Sequence, residues 1–171
     1  MSTPVRVATI TSSDTRTPDD DDGGRLLGER LVAAGFVVAS HAIVREDDGV
    51  LGEAIDALLK RADVDAIVIT GGTGVAPRDR TFEAVMPRLE KTIDGFGEAF
   101  RRLSWDEIGP ASILSRAVAG VAARKVIVAL PGSVNAVRLA VDSLLAPTLA
   151  HAVGLASGRA THHAKKSGHR A

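Results

Sequence analysis

Short apolar runs rich in β-branched residues alternate with helical patterns in the first part of this chain. Strand-like runs cover residues 6–11, 36–44 and 66–70, and apolar residues at helical spacing cover residues 25–34 and 50–60 between them. A strand–helix–strand–helix–strand order joins parallel strands through helical crossovers. The pattern therefore predicts an α/β fold in three layers, α-β-α, with a mostly parallel sheet and helices on both faces.

The second half of the chain is less regular. Apolar residues at helical spacing cover residues 81–89 and 95–104. Two apolar runs, at residues 117–122 and 126–130, are separated by Ala123-Arg124-Lys125, which predicts a short antiparallel hairpin at the edge of the sheet. A short helix over the first of these runs is the alternative.

A last helix is predicted over residues 134–145, where it opens after Pro131-Gly132-Ser133. Pro147 is expected to break this helix from a short final segment. Residues 157–171 carry four basic residues and three histidines, with no acidic and no large apolar residue. We therefore predict one folded domain over residues 1–156 and a basic, flexible tail, for which a nucleic-acid or metal-binding arm is the alternative.

The composition is that of an ordinary soluble domain. The chain has 171 residues, of which 45% are hydrophobic and 25% charged, with 21 basic and 21 acidic residues. It contains no cysteine, which excludes disulfides and thiolate metal sites. No apolar run approaches the ~20 residues of a membrane span and no signal sequence opens the chain, so we expect a cytoplasmic protein with no membrane partner. With four Phe, one Trp and no Tyr, base stacking has few aromatic platforms, and no nucleic-acid partner is expected.

The predicted strands end in turns that are rich in hydroxyl, glycine or acidic residues. In a doubly wound sheet, ligands bind beyond the carboxyl ends of the strands. We therefore expect one rim of the sheet to carry the functional site. The four turns are Thr11-Ser12-Ser13-Asp14, Arg45-Glu46-Asp47-Asp48, Thr70-Gly71-Gly72-Thr73-Gly74 and Pro131-Gly132-Ser133.

Two of these turns suit an anion. Gly71-Gly72-Thr73-Gly74 can direct backbone N–H groups toward a ligand, because glycine places no Cβ in the way. It is neither a Walker loop, since no Gly-Lys-Ser/Thr follows, nor the dinucleotide fingerprint, since Pro77 stands where the third glycine belongs. A tight turn explains the glycines equally well. Pro131-Gly132-Ser133 fits either an anion site at a helix N-terminus or a cap formed by Ser133.

Other polar residues have a functional and a structural interpretation. Asp79 lies five residues past the glycine turn and suits Mg²⁺ binding or proton transfer beside a phosphate, with capping of the next helix as the alternative. The acidic run at residues 19–22 is interpreted as a solvated loop with a helix-capping Asp rather than as a cation site. His41 and His151 stand singly, and we interpret both as structural or surface residues.

Four motifs follow one another along the chain. They are Ile69-Thr70-Gly71-Gly72-Thr73-Gly74 with Arg78-Asp79-Arg80-Thr81, then Asp94-Gly95-Phe96-Gly97-Glu98-Ala99-Phe100-Arg101, then Leu114-Ser115-Arg116-Ala117-Val118-Ala119-Gly120-Val121, and finally Ala129-Leu130-Pro131-Gly132-Ser133-Val134-Asn135. Together they resemble the signature of the MogA/MoaB family of molybdenum-cofactor biosynthesis proteins. The resemblance covers roughly residues 5–155, and the two middle motifs favour the MoaB branch.

The resemblance implies a trimer or a dimer of trimers that binds molybdopterin at the carboxyl rim. It further implies that ATP and Mg²⁺ are used to adenylylate the terminal phosphate of molybdopterin ahead of molybdate insertion. Two carboxylates, Asp79 and Glu46, carry catalysis and Mg²⁺ binding by this resemblance. The residues that would bind pterin or nucleotide are Ser12, Ser13, Asp14, Gly71, Gly72, Thr73, Gly74, Glu98, Ser115, Arg116, Pro131, Gly132 and Ser133.

Glu46 is a departure from the family pattern. Family members often have Pro-Asp-Asp or Pro-Asp-Glu where this chain has Arg45-Glu46-Asp47. A glutamate keeps the charge and moves it by one methylene. A non-catalytic scaffold oligomer that binds molybdopterin is therefore the alternative function. A domain that acts on another nucleotide or pterin is a further one, because a shared fold does not determine the substrate.

Overall fold

A single six-stranded sheet forms the centre of the computed structural model, which describes residues 3–160. Its strands are β1 (Arg6–Ser12), β2 (Val37–Val44), β3 (Ala66–Thr70), β4 (Lys91–Thr92), β5 (Val118–Ala122) and β6 (Lys125–Leu130). The strand order is β2-β1-β3-β6-β5-β4. Strands β2, β1, β3 and β6 run parallel to one another. β5 is antiparallel to β6, and β4 is antiparallel to β5. The predicted sheet, mostly parallel with a short antiparallel edge, is confirmed.

The central strands end at the same level. Thr70, the last residue of β3, pairs with Thr11 of β1 on one side and with Leu130 of β6 on the other. Every residue of β3 is buried, as expected for a strand that is covered on both faces. The turns that follow β1, β3 and β6 therefore meet at one rim of the sheet.

Helices cover both faces of the sheet, as predicted. They are α1 (Asp22–Ala33), α2 (Asp48–Lys60), α3 (Thr81–Val85), α4 (Asp94–Ile108), α5 (Val134–Ala140) and α6 (Ala146–Ser157). One face packs against α1, α4, α5 and α6 through a core that includes Leu31, Phe100 and Leu149. The other face packs against α2 and α3 through a core that includes Leu51 and Val85.

The connections around β1 change face. α1 joins β1 to β2 on one face, and α2 joins β2 to β3 on the other. β2 and β3 lie on either side of β1 in the sheet. A change of face between neighbouring strands opens a crevice at their carboxyl ends, which is where doubly wound sheets bind ligands. The topology therefore predicts a ligand-binding site at the rim between β1 and β3.

β5 and β6 form the predicted antiparallel hairpin, and the alternative of a short helix is wrong. Ala122 pairs with Lys125 around the two-residue turn Ala123-Arg124, where both turn residues have positive φ, 46° and 62°. Turns of this kind match the right-handed twist of the strands that they join. The hairpin is not the outermost part of the sheet, because β4 pairs with β5 beyond it.

The prediction that Pro147 breaks the last helix is wrong. α5 and α6 form one continuous helical stretch over residues 134–157, joined by a π-turn at Val141–Leu145. In this turn the N–H of Ala146 donates to the carbonyl of Val141, one residue further back than in an α-helix. The wider turn precedes the proline and accommodates its ring, which lacks an N–H and would clash with a regular preceding turn.

This stretch is also apolar. Within residues 3–160, residues 134–157 are the one helix long and apolar enough to cross a membrane, with a mean hydropathy of 1.5. Core helices of soluble proteins meet the same criterion. Here Val137, Val141 and Leu145 are buried in the core beside the sheet.

The chain after α6 is described for a few residues. Gly158 ends α6 in the left-handed conformation, with φ of 74°. Nη2 of Arg159 donates to Oδ1 of Asp65 at 3.1 Å, and the N–H of Ala160 donates to the carbonyl of Gly154 at 2.9 Å. The rest of the predicted tail, residues 161–171, lies outside the described residues.

Candidate functional site

The turn after β3 requires glycine at two positions. Gly71 and Gly72 have φ of 99° and 64°, a region that residues with a Cβ rarely adopt. A Cβ on Gly71 would lie 2.4 Å from the carbonyl oxygen of Ser12, and one on Gly72 would lie 2.5 Å from Oγ1 of Thr81. The glycines therefore let this turn pack directly against the end of β1.

Every carbonyl oxygen of residues 71–74 accepts a hydrogen bond from the protein, whereas three of the four N–H groups have no partner within residues 3–160. Thr81 donates through Oγ1 to the carbonyl of Gly71 (2.7 Å) and through its backbone N–H to the carbonyl of Gly72 (3.0 Å). Arg116 donates through its backbone N–H to the carbonyl of Thr73 (2.8 Å) and through Nε to the carbonyl of Gly74 (2.8 Å). Among the described residues, no atom accepts from the N–H groups of Gly72, Thr73 or Gly74. Unpartnered N–H groups in a glycine turn form a cradle for an anion. The bonding favours that interpretation over a tight turn alone.

A polar pocket of about 320 Å³ lies where the turns after β1, β3 and β6 meet. Ser12 lines it, and the Ser12 hydroxyl is buried with no hydrogen-bond partner among residues 3–160. A buried hydroxyl without a partner costs free energy, which a ligand atom would recover. The pocket brings together seven of the predicted site residues, Ser12, Ser13, Glu46, Gly71, Gly72, Gly132 and Ser133.

Glu46 lines the polar pocket, and the charges of two nearby aspartates act on its carboxyl group. Burial raises the pKa of Glu46, the negative charges of Asp14 and Asp79 raise it further, and the positive charge of Arg78 lowers it. Oδ1 of Asp14 also accepts the backbone N–H of Glu46 at 3.1 Å. Carboxylates that disfavour one another's ionisation are stabilised by a neighbouring cation.

Asp79 closes the turn that follows the glycines. Its Oδ2 accepts the N–H of Ala76 at 2.8 Å, and its own N–H donates to the carbonyl of Ala76 at 2.9 Å. The N-cap residue of α3 is Arg80, and no side chain caps that helix. The helix-capping interpretation of Asp79 is therefore wrong. The side chain caps its own turn, and its charge reaches Glu46.

Asp79 and Glu46 are also the two groups predicted to hold Mg²⁺. No three acidic or imidazole side chains within residues 3–160 come together as a complete metal-binding cluster. Mg²⁺ is commonly bound through one or two carboxylates together with waters and the phosphates of a substrate. The pair fits an ion of this kind, because the charge of Asp79 opposes the ionisation of Glu46 and a divalent cation would relieve that repulsion.

A second pocket, of about 260 Å³ and mainly apolar, adjoins the polar pocket through Ser133. Its walls come from α4, from the 3₁₀ turn Gly109–Leu114 and from the start of α5. The hydroxyl of Ser112 is buried there, again with no partner in the described part of the chain. Oγ of Ser133 accepts the N–H of Ala136 at 3.2 Å, so the predicted cap of α5 is confirmed. The predicted site residues in this pocket are Thr73, Gly74, Ser115, Pro131 and Ser133.

Four predicted site residues line neither pocket. Asp14 lines a neighbouring cavity of about 810 Å³ beside β2. Asp79 lies in its own turn next to the polar pocket. Glu98 and Arg116 line a separate cavity of about 440 Å³ between α4 and β5. The structure therefore does not bring Glu98 and Arg116 together with Glu46.

The acidic run before α1 contains the predicted capping residue. Asp21 is buried, and its Oδ1 accepts the N–H of Gly24 at 2.9 Å. Its Oδ2 accepts from Oγ1 of Thr11 at 2.8 Å and lies 2.9 Å from Nε2 of His41. Nδ1 of His41 in turn lies 2.9 Å from Oγ1 of Thr9. His41 is thus a structural residue, as predicted, and the network holds the start of α1 against β1 and β2.

Several residues that line the pockets were not predicted from the sequence. Arg16 and Arg78 contribute positive charge to the polar pocket, and Ser112 and Asn135 contribute polar atoms to the apolar one. Arg78 carried a signal, because it directly precedes Asp79 in the turn after the glycines. Ser112 carried none, because its 3₁₀ turn reads as a connecting loop in the sequence.

Comparison with known proteins identifies one family. Residues 8–151 match the family described as the probable molybdopterin binding domain. Molybdenum cofactor biosynthesis protein B of Bacillus anthracis is 47% identical over 148 residues, which are 86% of this chain and 88% of that protein. A crystal structure of a molybdenum cofactor biosynthesis protein B is similar with a TM-score of 0.88 and 44% identity, covering 92% of this chain and 98% of the other. The tungsten cofactor synthesizing protein MoaB of Pyrococcus furiosus has a TM-score of 0.77 and 33% identity, covering 92% and 99%.

These similarities extend over the sheet, both helical layers and the rim. They agree with the four motifs, which supply the turns and helices around the two pockets. Sequence, fold and relatives therefore lead to the same assignment. The chain belongs to the MogA/MoaB family of molybdenum-cofactor biosynthesis proteins.

Proposed function

We propose that this protein binds molybdopterin at the rim and adenylylates its terminal phosphate with Mg-ATP ahead of molybdate insertion. The observation that carries the proposal is the anion cradle at residues 72–74, whose three N–H groups have no acceptor in the described protein. Molybdopterin carries one phosphate and ATP carries three. A site for two anionic substrates needs fixed donors of this kind.

The protein itself forms no covalent bond in this reaction, because the two substrates react with each other. An oxygen of the molybdopterin phosphate attacks the α-phosphorus of ATP, a P–O bond forms, and pyrophosphate leaves with the electron pair of the broken bond. The protein has to align the two phosphates and neutralise their charge. The cradle at residues 72–74 serves alignment. Gly72 lines the polar pocket, where Arg16 and Arg78 supply positive charge, while Thr73 and Gly74 line the adjoining apolar pocket.

Asp79 and Glu46 would hold Mg²⁺, which neutralises phosphate charge when it is bound. Glu46 supports this role because its pKa is raised by burial and by the neighbouring carboxylates, so that its ionised form gains most from a cation. Asp79 suits Mg²⁺ binding because it lies next to Gly74 of the cradle. Only one of its carboxylate oxygens, Oδ2, accepts the N–H of Ala76.

The apolar pocket provides a place for a planar ring system. Its walls are mainly apolar, and its polar groups include the unpartnered hydroxyl of Ser112 and the side chain of Asn135. Ligand sites typically combine apolar walls with a few polar groups that orient the ligand. A pterin or a purine has both an apolar face and a polar edge, and either would fit this description.

Transfer of labelled AMP from [α-³²P]ATP to molybdopterin tests the proposal directly. The wild-type protein should form labelled product only when Mg²⁺ is present. Glu46→Gln should slow the transfer by roughly a hundredfold, the scale expected for one lost electrostatic group. Asp48→Asn is the matched control, because Asp48 lies two residues away and pairs with Arg80 outside the pocket. A wild-type protein without transfer, or an equal loss in both variants, would contradict the proposal.

One observation favours the alternative of a non-catalytic molybdopterin-binding scaffold. Glu46 stands where family members often have Asp, so its carboxylate lies one methylene further from the backbone. A scaffold would bind molybdopterin in an equilibrium titration and yet transfer no AMP at any Mg²⁺ concentration. Glu46→Asp would then introduce the shorter side chain and test whether activity is recovered.

A further inference from the structure

Arg116 lies two residues before β5, next to the glycine turn, with 28% of its side chain exposed. We propose that Arg116 is a positioning residue, which holds the turn at residues 73–79 in the conformation that binds phosphate. The inference deepens the proposed function and rests on it for the identity of the substrate. It also replaces the expectation that Arg116 contacts the substrate itself.

Arg116 contacts both ends of this turn. Its backbone N–H donates to the carbonyl of Thr73 at 2.8 Å, and its Nε donates to the carbonyl of Gly74 at 2.8 Å. Its Nη2 donates to the carbonyl of Asp79 at 3.1 Å. A single residue thus fixes the peptide that follows the cradle and the peptide of the predicted catalytic carboxylate.

The guanidinium is itself held by α3. Nη1 and Nη2 donate to the two carboxylate oxygens of Glu83, at 2.5 and 3.2 Å. The ring of Phe82 lies under the guanidinium carbon, 4.9 Å from the ring centroid. The bond from Arg116 also lowers the pKa of Glu83, so this partner is ionised at neutral pH. Four of the donor positions of Arg116 are therefore occupied by protein acceptors.

A glycine turn needs such a restraint. Glycine has no Cβ to limit its φ and ψ angles, so a free turn samples conformations in which carbonyl oxygens replace N–H groups at the site. A carbonyl oxygen facing a phosphate repels it, whereas the N–H group attracts it. By accepting from Arg116, the carbonyls of Thr73 and Gly74 are kept out of that position.

Lysine cannot replace arginine in this role. The planar guanidinium presents donors in a fork that reaches two carbonyls and a carboxylate at once, while an ammonium group is a single point on a flexible stem. Arg116→Lys therefore keeps the positive charge but loses the simultaneous contact with Gly74, Asp79 and Glu83.

Arg88, which follows α3, offers a matched control. Its side chain is 24% exposed and forms a two-bond pair with Asp56, at 2.7 and 2.8 Å. Its Nη1 donates to the carbonyl of Ala84, and it touches neither the cradle nor Asp79. Arg88→Lys thus removes a comparable arginine fork away from the rim.

The experiment compares wild type, Arg116→Lys and Arg88→Lys by three measurements. The first is hydrogen exchange of peptides that cover residues 71–79, the second is calorimetric binding of inorganic pyrophosphate, and the third is Tm. We expect Arg116→Lys to speed exchange of the hydrogen-bonded N–H groups of Ala76 and Asp79 in that peptide at least about tenfold. Pyrophosphate binding should weaken at least about tenfold, since displaced groups lose effect steeply with distance. Arg88→Lys should lower Tm by a similar amount and leave exchange at residues 71–79 and pyrophosphate binding unchanged.

The outcomes separate this inference from the proposed function. Unchanged exchange at residues 71–79 in Arg116→Lys, or an equal increase in both variants, would overturn the positioning role. A wild-type protein that transfers no AMP would overturn the proposed function, while the exchange measurement would still decide the role of Arg116. If Arg116→Lys does not fold, Glu83→Gln takes its place. That variant keeps the carbonyl contacts and weakens the orientation of the guanidinium, so we expect a smaller increase in exchange in the same peptide, and no increase would overturn the role.

Discussion

At the scale of single residues, the rim collects groups whose bonding is incomplete within the protein. The hydroxyls of Ser12 and Ser112 are buried without partners, and the N–H groups of residues 72–74 have no acceptors in the described chain. Elsewhere in proteins such groups are nearly always paired, because leaving them unpaired costs about 1–3 kcal/mol each. Their concentration around two adjoining pockets is the reason why we propose that the ligand binds at this rim.

The substitution Asp79→Asn removes the negative charge of the side chain and keeps its shape. Asn can still accept the N–H of Ala76, so we expect an unchanged Tm, while AMP transfer should fall by roughly a hundredfold or more because one electrostatic group is lost. Binding of molybdopterin should change less, since the cradle at residues 72–74 remains. Near-normal turnover in the transfer assay would remove Asp79 from the catalytic residues and favour the scaffold function.

Glu46→Gln should raise the stability of the protein above acidic pH. The folded state raises the pKa of Glu46 above its ordinary value of 4.5, so it binds the proton more tightly than the unfolded chain does. The free energy of unfolding of the wild type therefore falls as pH rises from about 4.5 through the raised pKa.

Gln carries no charge and avoids this loss. We expect Glu46→Gln to have a higher Tm than the wild type at pH 7, because the amide avoids the cost of a carboxylate charge that is partly removed from water. Below pH 4 the two proteins should melt at the same temperature. A gain that persists equally at low pH would show that packing, not charge, is responsible.

At the scale of elements, α1 is held by an unusually well-connected cap. Asp21 accepts from Gly24 and Thr11 and contacts His41, whereas Asp47 caps α2 through a single exposed bond to the N–H of Val50 at 2.9 Å. Loss of an ordinary cap costs about 1 kcal/mol, and leaving a buried partner unpaired costs about 1–3 kcal/mol more.

Asp21→Ala should therefore lower the free energy of unfolding by about 2–4 kcal/mol, and Asp47→Ala by about 1 kcal/mol. Urea denaturation of both variants measures the difference, provided that the slope against urea is unchanged. Equal losses would mean that the contacts to Thr11 and His41 contribute nothing to the stability of α1.

At the scale of the whole molecule, exposed apolar side chains cluster at the end of α4 and in the 3₁₀ turn that follows. Trp105, Ile108, Ile113 and Leu114 are 48%, 59%, 66% and 53% exposed. Contiguous apolar surface on a single chain marks a contact with another protein. We therefore expect the predicted trimer or hexamer to form through this cluster.

We expect light scattering at micromolar concentration to give a mass three or six times the 17.7 kDa of one chain. Ile113→Glu should shift the protein toward smaller species, because burying an unpaired charge in an interface is costly. Val32→Glu is the control, since Val32 is similarly exposed, at 58%, on α1. A single 17.7 kDa species in the wild type would contradict the prediction.

Periodicity was sufficient for the three layers and for most of the sheet of this protein, although it predicted neither β4 nor a helix that continues past Pro147. β3 occupies residues 66–70 as predicted, because a strand buried on both faces has to be apolar along its length. The glycines at 71 and 72 and the polar turns at the rim are likewise visible in the sequence, since backbone conformations with positive φ and ligand contacts restrict residue type. A feature can be predicted from the sequence where the local backbone conformation or burial restricts the residue type.

Tertiary structure decided the features in which distant segments meet. The helix passes Pro147 because the packing of residues 134–157 onto the sheet stabilises a π-turn that local propensity disfavours. Ala123 and Arg124 adopt positive φ because strand pairing on both sides closes the hairpin there. Arg116 holds the glycine turn from 42 residues away, a contact that the sequence does not encode locally. The sequence by itself determined the layers of this protein and the polar turns at its rim. The two adjoining pockets and the hydrogen bonds of the turn at residues 71–74 depend on contacts between distant segments, which exist only after the sheet has formed.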